Sequence, residues 1–266
     1  MNNYINANVK LQEIIAIIQK SFEIIKTSKK NIKFFKNDGS IITQADIDVD
    51  NYICSKLRDF DKDTLVISEE KKLEKNFFLN DTYWLIDPID GTSNFAKQGN
   101  EFTVNIALIK NGFPEFGVIG HPPSKKIWYS FKKNSYLFAN NKIIKLVSIK
   151  KNIRSPIILC SQGLDPTTKI FLEKNKLSNI KKLSSSLKFC SVAEGKADIY
   201  PRLDPISKWD IAAGDAIVRN TGGITLGING KPINYKTPSS KTGKFIVFSA
   251  GYNKKSNIDK LNLQNV

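Results

Sequence analysis

The stretch FTVNIALIKNGFPEFGVIGH, residues 102–121, limits the possible folds more than any other part of the chain. Two runs rich in β-branched and aromatic residues flank Asn111-Gly112, a dipeptide suited to the positive φ angles of a tight hairpin. IWYSF and SYLFA continue in the same style, so residues 100–147 read as a run of antiparallel strands. Helical patterns precede it. Leu11, Ile14, Ile15, Ile18, Phe22 and Ile25 follow i, i+3, i+4, i+7 spacing, which predicts an amphipathic helix over 8–27. TQAD at 43–46 has the form of a capping box, with Thr43 as N-cap and Asp46 three residues on. A helix to about Phe60 follows, with Ile47, Cys54 and Leu57 among its apolar positions. TLVIS (64–68) and YWLI (83–86) are short strand signals that end in Glu69-Glu70 and Asp87.

Later residues alternate strand and helix. PIILCS (156–161) reads as a buried strand, SSSLKFCSVAEG (184–195) as a helix stopped by Gly195, and ADIYPR as a strand. WDIAAGDAIVRNTGG (209–223) reads as a helix ended by Gly222-Gly223, with strands at 224–226 and 245–249 and a turn at Asn229-Gly230. The expectation is two α/β halves, 1–147 with the acidic motif and 148–266 with substrate-binding elements, sharing one core.

No apolar run reaches the ~18 residues of a membrane span, and the N-terminus lacks the form of a secretion signal, being interrupted by Gln12, Glu13 and Gln19. Cys54, Cys160 and Cys190 fit no CxxC pattern and read as buried thiols of a cytoplasmic protein. Formal net charge is +16, carried mostly by scattered lysine pairs such as Lys29-Lys30 and Lys132-Lys133. A dedicated nucleic-acid binder concentrates its bases and interleaves aromatics, so the charge reads as a solvated surface or as a field that draws in anions. A peripheral contact with the inner face of a membrane, and a monomer or homodimer, stay open.

Against this basic background the acids of YWLIDPIDGTSNF (83–95) stand out. Strand ends are where α/β folds place chemistry, and Glu69, Glu70, Asp87 and Asp90 all sit at such ends. Pro88 fixes φ and removes a donor, which predicts a turn between Asp87 and Asp90 that aims both carboxylates and the Ile89 carbonyl at one spot. Crowded carboxylates repel unless a cation sits between them. Oxygen-only ligands, with no His or Cys nearby, favour Mg²⁺ over zinc. Rival phosphatase designs fit poorly. The spacing is DxxD rather than DxD, no cysteine has an arginine six residues on, and no GxxxxGK[ST] loop is present. His121, ahead of Pro122-Pro123, reads as a turn residue.

ISEE, WLIDPIDGTSNF and WDIAAGDAIVRNTGG, in that order, resemble the inositol monophosphatase superfamily of Mg²⁺-dependent, lithium-sensitive phosphatases, and the likeness covers roughly residues 35–250. NEFTVNIALI and SSLKFCSVAEGKADIYPR look closest to its bacterial 3′(2′),5′-bisphosphate nucleotidase branch, which takes adenosine 3′,5′-bisphosphate, a by-product of sulfate assimilation, to AMP and phosphate. The resemblance implies a layered α/β/α/β/α sandwich and hydrolysis by a metal-activated water. It implies that Glu69, Asp87, the Ile89 carbonyl, Asp90 and Asp210 hold two Mg²⁺ ions, with Glu70 or Asp46 left for a third ion or the attacking water. Thr92 would orient that water, and the backbone N–H groups of Gly91 and Thr92 would hold phosphate oxygens. Ser185, Ser186, Lys188 and Arg202 would meet the rest of the substrate. Arg202 stands where inositol phosphatases carry an acid, which favours a second phosphate. DGTSNF, nearer the inositol phosphatase form, keeps an inositol or other sugar phosphate open as the substrate.

Overall fold

The computed structural model describes residues 2–28, 33–36, 39–72, 74, 76–147, 155–253 and 255–262. Lys29-Lys30 and the first residues beyond the expected boundary at 147 lie outside them. Helix α1 (Asn2–Thr27) leads through a hairpin, β1 (Lys33–Phe35) with β2 (Ile41–Thr43), into α2 (Gln44–Phe60). The capping box forms as expected. Thr43 caps α2, and the Asp46 side chain returns a bond to the Thr43 backbone.

The strand run becomes a seven-stranded sheet in chain order: β3 (Leu65–Ser68), β4 (Thr82–Asp90), β5 (Thr103–Lys110), β6 (Phe113–His121), β7 (Lys126–Phe131), β8 (Asn134–Ala139) and β9 (Lys142–Leu146). β3 and β4 are parallel and every later pair is antiparallel. The β5–β6 hairpin turns at Asn111 and Gly112, with φ of 51° and 80°. A short helix, α3 (Thr92–Ala96), follows β4.

Next come β10 (Ile158–Cys160), α4 (Pro166–Lys174), β11 (Ile180–Lys182), α5 (Leu187–Ala193), β12 (Ile199–Arg202), α6 (Lys208–Arg219), β13 (Ile224–Gly227), β14 (Phe245–Phe248) and α7 (Lys255–Ile258). Their strands form a second sheet in the order β11-β10-β12-β14-β13. α6 stops as its glycines predict: Gly222 takes φ 86°, and the Gly223 N–H closes on the Val218 carbonyl at 3.0 Å.

Period-2 alternation decides the layers. In β4, Trp84 and Ile86 pack with Ile14 and Ile18 of α1 and Val49 and Ile53 of α2. Tyr83 and Leu85 face the other way, onto α5, α6 and the inner side of the second sheet. Ile158, Ile199 and Phe248 cover that sheet's outer side together with Phe171 and Leu172 of α4. The result is an α/β/α/β/α sandwich. Ile47, expected in the core of α2, is only partly buried, and the buried stripe runs through Ala45, Val49, Ile53 and Leu57. α6 lies between both sheets, which explains its small residues. A Cβ on Gly117 of β6 would stand 2.4 Å from the Ala213 carbonyl oxygen.

The expected turn at Pro88 needs correction. No turn separates Asp87 from Asp90. β4 runs through Pro88 to Asp90, and the missing donor is absorbed as a register shift: Asp87 pairs Asn105, while Asp90 pairs Thr103. The chain turns one residue later, at Gly91, with φ 94°. The hairpin β1–β2 and helices α3 and α4 carry no periodicity signal long enough to be read. Among the described residues no helix is long and apolar enough to cross a membrane.

Candidate active site

Asp87 follows Leu85 on the inner face of β4 by strand alternation, and so points at the layer occupied by α6. Asp210 lies in the first turn of α6. Glu69 follows β3, its N–H bonded to the Ile86 carbonyl at 3.1 Å. These elements bring one carboxylate oxygen from each of Glu69, Asp87 and Asp210 within 4.8 Å of one another. Asp87 is 1% exposed, and neither of its carboxylate oxygens meets a hydrogen-bond donor. Burial, with Glu69, Asp90 and Asp210 close by, pushes its pKa well above the carboxylate range. Asp210 is pushed up in the same way by burial and by Asp90 and Glu69. Buried carboxylates without donors are costly in any protein. Here the arrangement suits a hard cation, which would give the Asp87 oxygens the partner they lack.

Asp90, at the end of β4, stands beside this trio. Its Oδ2 accepts from the Ser186 backbone N–H at 2.6 Å and lies 2.7 Å from the Ser186 hydroxyl. On the other side is Lys36, which sequence reasoning missed. Its ammonium reaches Glu69 at 2.8 Å and Glu70 at 2.8 Å. Burial alone would lower the Lys36 pKa, but the Glu69 and Glu70 carboxylates outweigh it and raise it. Burial raises Glu70 to about 7. Nothing local in the sequence marks Lys36, because the β1–β2 hairpin alone brings it across to residues 69 and 70.

Thr92 opens α3. Its hydroxyl lies 3.0 Å from Asp46 Oδ1 and 2.8 Å from the Ile89 carbonyl oxygen. Asp46 is held from behind by the Thr43 N–H at 2.8 Å and the Thr43 hydroxyl at 2.5 Å, and burial raises its pKa. The capping box thus fixes a carboxylate beside the DGT turn, a connection the sequence motif alone does not disclose.

The expected substrate contacts divide. Arg202, at the end of β12, is partly exposed, with Nη1 3.4 Å from the Ser161 hydroxyl and Nε 3.2 Å from the Asp204 carbonyl. Ser185 precedes α5 with φ 54°. Lys188 is buried. Its ammonium donates to the Ser185 carbonyl at 2.8 Å and lies over the Tyr200 ring. Burial lowers its pKa to about 8. Ser186 is likewise buried. Glu101, also missed, accepts from the Ser184 N–H at 2.9 Å and the Gln162 amide at 3.2 Å, fastening the lead-in of β5 to loops of the second sheet. Asp165 caps α4 through the Thr168 N–H at 2.8 Å. His121 serves its turn, bonding Ser124 and the Asn100 carbonyl.

The sequence profile of the inositol monophosphatase family matches residues 1–260. The chain belongs to the inositol monophosphatase family. Among curated members, it is 39% identical over 210 residues to the 3′(2′),5′-bisphosphate nucleotidase CysQ of Buchnera aphidicola subsp. Acyrthosiphon pisum, covering 77% of this chain and 78% of that one. It is 29% identical over 243 residues to human inositol monophosphatase 2, covering 84% and 82%. The crystal structure of CysQ from Bacteroides thetaiotaomicron, a bacterial member of this family, superposes with a TM-score of 0.76 at 31% identity, over 92% of this chain and 97% of that one. The inositol monophosphatase sandwich therefore frames the acidic site.

Proposed function

We propose that this chain is a Mg²⁺-dependent 3′(2′),5′-bisphosphate nucleotidase that removes the 3′-phosphate of adenosine 3′,5′-bisphosphate, releasing AMP and phosphate. The observation that carries the reaction class is the trio of Glu69, Asp87 and Asp210, with Asp87 buried at its centre and both Asp87 oxygens unpaired. Likeness to CysQ proteins and the arginine at 202 support the substrate.

Glu69, Asp87, the Ile89 carbonyl, Asp90 and Asp210 would hold two Mg²⁺ ions, with Glu70 or Asp46 left for a third ion or the attacking water. When bound, the cation supplies Lewis acidity to phosphate oxygens and eases deprotonation of water. In the hydrolysis the water oxygen bonds to phosphorus, the bond from phosphorus to the ribose oxygen breaks, and that oxygen takes up a proton, so that one hydrogen of the water ends on the ribose hydroxyl and the other on the phosphate. The Thr92 hydroxyl, held at 3.0 Å from Asp46, offers a path for the water's proton, and burial makes Asp46 a stronger base than a free aspartate. The Gly91 and Thr92 N–H groups would hold the phosphate that is cleaved. Arg202, with Ser161 and Ser185, would face the other phosphate or the ribose. Its planar fork suits phosphate better than a sugar hydroxyl. The buried, unpaired thiols of Cys54, Cys160 and Cys190 fit a cytoplasmic setting. Peripheral membrane contact finds no support in the described surface.

A second reading, hydrolysis of inositol or another sugar phosphate, is favoured by DGTSNF, which offers no positive charge, and by the inward turn of Lys188. Phosphate release with Mg²⁺, with and without lithium, across nucleotide bisphosphates and sugar phosphates decides between them. The nucleotidase reading expects adenosine 3′,5′-bisphosphate to turn over faster than inositol 1-phosphate. It expects Arg202→Glu to shift the preference toward the sugar phosphate. Asp90→Asn or Asp210→Asn should abolish turnover in either case without unfolding the protein. Salt-sensitive DNA binding that survives Asp90→Asn, with no phosphate released from any substrate, would point instead to a nucleic-acid-binding protein.

A further inference from the structure

Asp90 and Asp210 come from separate layers, the end of a strand in the seven-stranded sheet and the first turn of the helix between the sheets. One buried side chain touches both residues. The Ser186 hydroxyl lies 2.7 Å from Asp90 Oδ2 and 2.7 Å from the Asp210 carbonyl oxygen. The Ser186 N–H adds a third contact, to Asp90 Oδ2 at 2.6 Å. Asn105, on β5, donates its Nδ2 to the Ser186 hydroxyl at 2.9 Å and lies 3.5 Å from Asp90 Oδ2. Ser186 and Asn105 are each 1% exposed.

A hydroxyl has one proton and two lone pairs. With Asn105 filling one lone pair, the Ser186 proton goes either to the Asp90 carboxylate or to the Asp210 carbonyl. Either choice keeps the serine wedged between the two residues. The contacts to Asp90 all fall on Oδ2, which leaves Oδ1 to a cation. The serine's only proton is committed within the protein and its side chain is buried, so it does not donate to a substrate, although its place in SSSLKF suggests that it would.

We propose that Ser186, oriented by Asn105, is a positioning residue for cation binding: it sets the Asp90 carboxylate against Asp210 across the two layers and does not contact the substrate. The inference rests on the cation-dependent reading of the site, but not on which phosphate is the substrate. The charged acceptor makes the Ser186 contacts stronger than neutral hydrogen bonds.

The test is Mn²⁺ binding to the full chain without substrate, read by loss of the free-ion EPR signal, for the wild type, Ser186→Ala and Asn105→Leu. KM and kcat for adenosine 3′,5′-bisphosphate are then measured at saturating Mg²⁺, and the melting temperature is taken in chelator. Ser186→Ala should weaken Mn²⁺ binding about tenfold, the equivalent of one lost charge-assisted hydrogen bond, with KM unchanged. Asn105→Leu should weaken it in the same direction by a smaller factor, and it decides the question if Ser186→Ala does not fold. Unchanged Mn²⁺ affinity overturns the proposal, and a raised KM beside it returns Ser186 to the substrate contacts. Because metal binding is read without substrate, a wrong substrate assignment shows only in the kinetic arm. A wild type that binds no Mn²⁺ overturns both the site reading and this proposal.

Discussion

Asp87 is the residue on which charge, burial and function conflict most openly. Its two oxygens lack donors, and its pKa is driven up by burial and by three neighbouring acids. Removing the charge should relieve the folded state while destroying the site. Asp87→Asn is expected to abolish turnover and to raise the melting temperature in chelator, by roughly 2–4 °C for each kcal/mol of relieved repulsion. Differential scanning fluorimetry with EDTA measures the second effect. The same conflict gives a pH dependence. Burial raises Glu70 from an ordinary 4.5 to about 7, so its folded state binds protons more tightly than the unfolded chain. That contribution is fully present below pH 4.5 and is lost as pH rises through 7. Glu69, Asp87 and Asp210 are shifted in the same direction. The metal-free protein should therefore lose melting temperature as pH climbs from 4.5 through 7, and saturating Mg²⁺ should flatten that fall. The acids themselves are legible from their types and strand-end positions. Lys36 and Asn105 are not, because each is an ordinary residue whose role arises only from what lies across from it.

At the scale of elements, the bulged end of β4 and the glycine after it carry the geometry. Gly91 has φ 94°, and a Cβ there would stand 2.9 Å from the Glu101 carbonyl oxygen. Gly91→Ala should therefore cost about 1–3 kcal/mol in strain. It should also lower kcat at saturating Mg²⁺, since Thr92 and Asp90 flank the displaced residue; denaturant unfolding and steady-state kinetics report the two losses. The capping box at Thr43 and the hairpin at Asn111-Gly112 are legible because their bonds form between residues a few positions apart. The Pro88 misreading has a physical source. Proline removes a donor, which ends a strand in isolation, but a neighbouring strand can absorb the defect as a register shift. α3 has five residues and is too short for a periodic signal.

Over the whole molecule, the formal charge of +16 surrounds an anionic pocket. A basic exterior favours the approach of an anionic substrate, and the effect is screened over about 10 Å at 0.1 M salt. KM for adenosine 3′,5′-bisphosphate should rise as ionic strength increases, with kcat nearly constant; initial rates in a KCl series at fixed Mg²⁺ measure it. An unchanged KM would assign the lysines to solvation alone. The layers explain why the site sits where it does. Glu69, Asp87 and Asp90 come from one sheet, while Asp210 and Ser186 come from the segments packed on its inner face. The acidic cluster comes together only when the ends of β3 and β4 meet the first turn of α6.

Taken alone, the amino-acid order determined the strand run, the two capped helices and the acids that mark the site. Each of those rests on spacing along the chain, where side-chain period and short-range bonds decide the outcome. Tertiary structure decided that Ser186 spends its hydroxyl on Asp90 and Asp210, that Lys188 turns inward, and that Lys36 meets Glu69 and Glu70. The Ser186 and Lys36 pairings join residues tens of positions apart, so no local pattern constrains them, and Lys188 bonds the nearby Ser185 carbonyl while lying over the Tyr200 ring of another element. Packing of the layers alone sets which polar groups face one another.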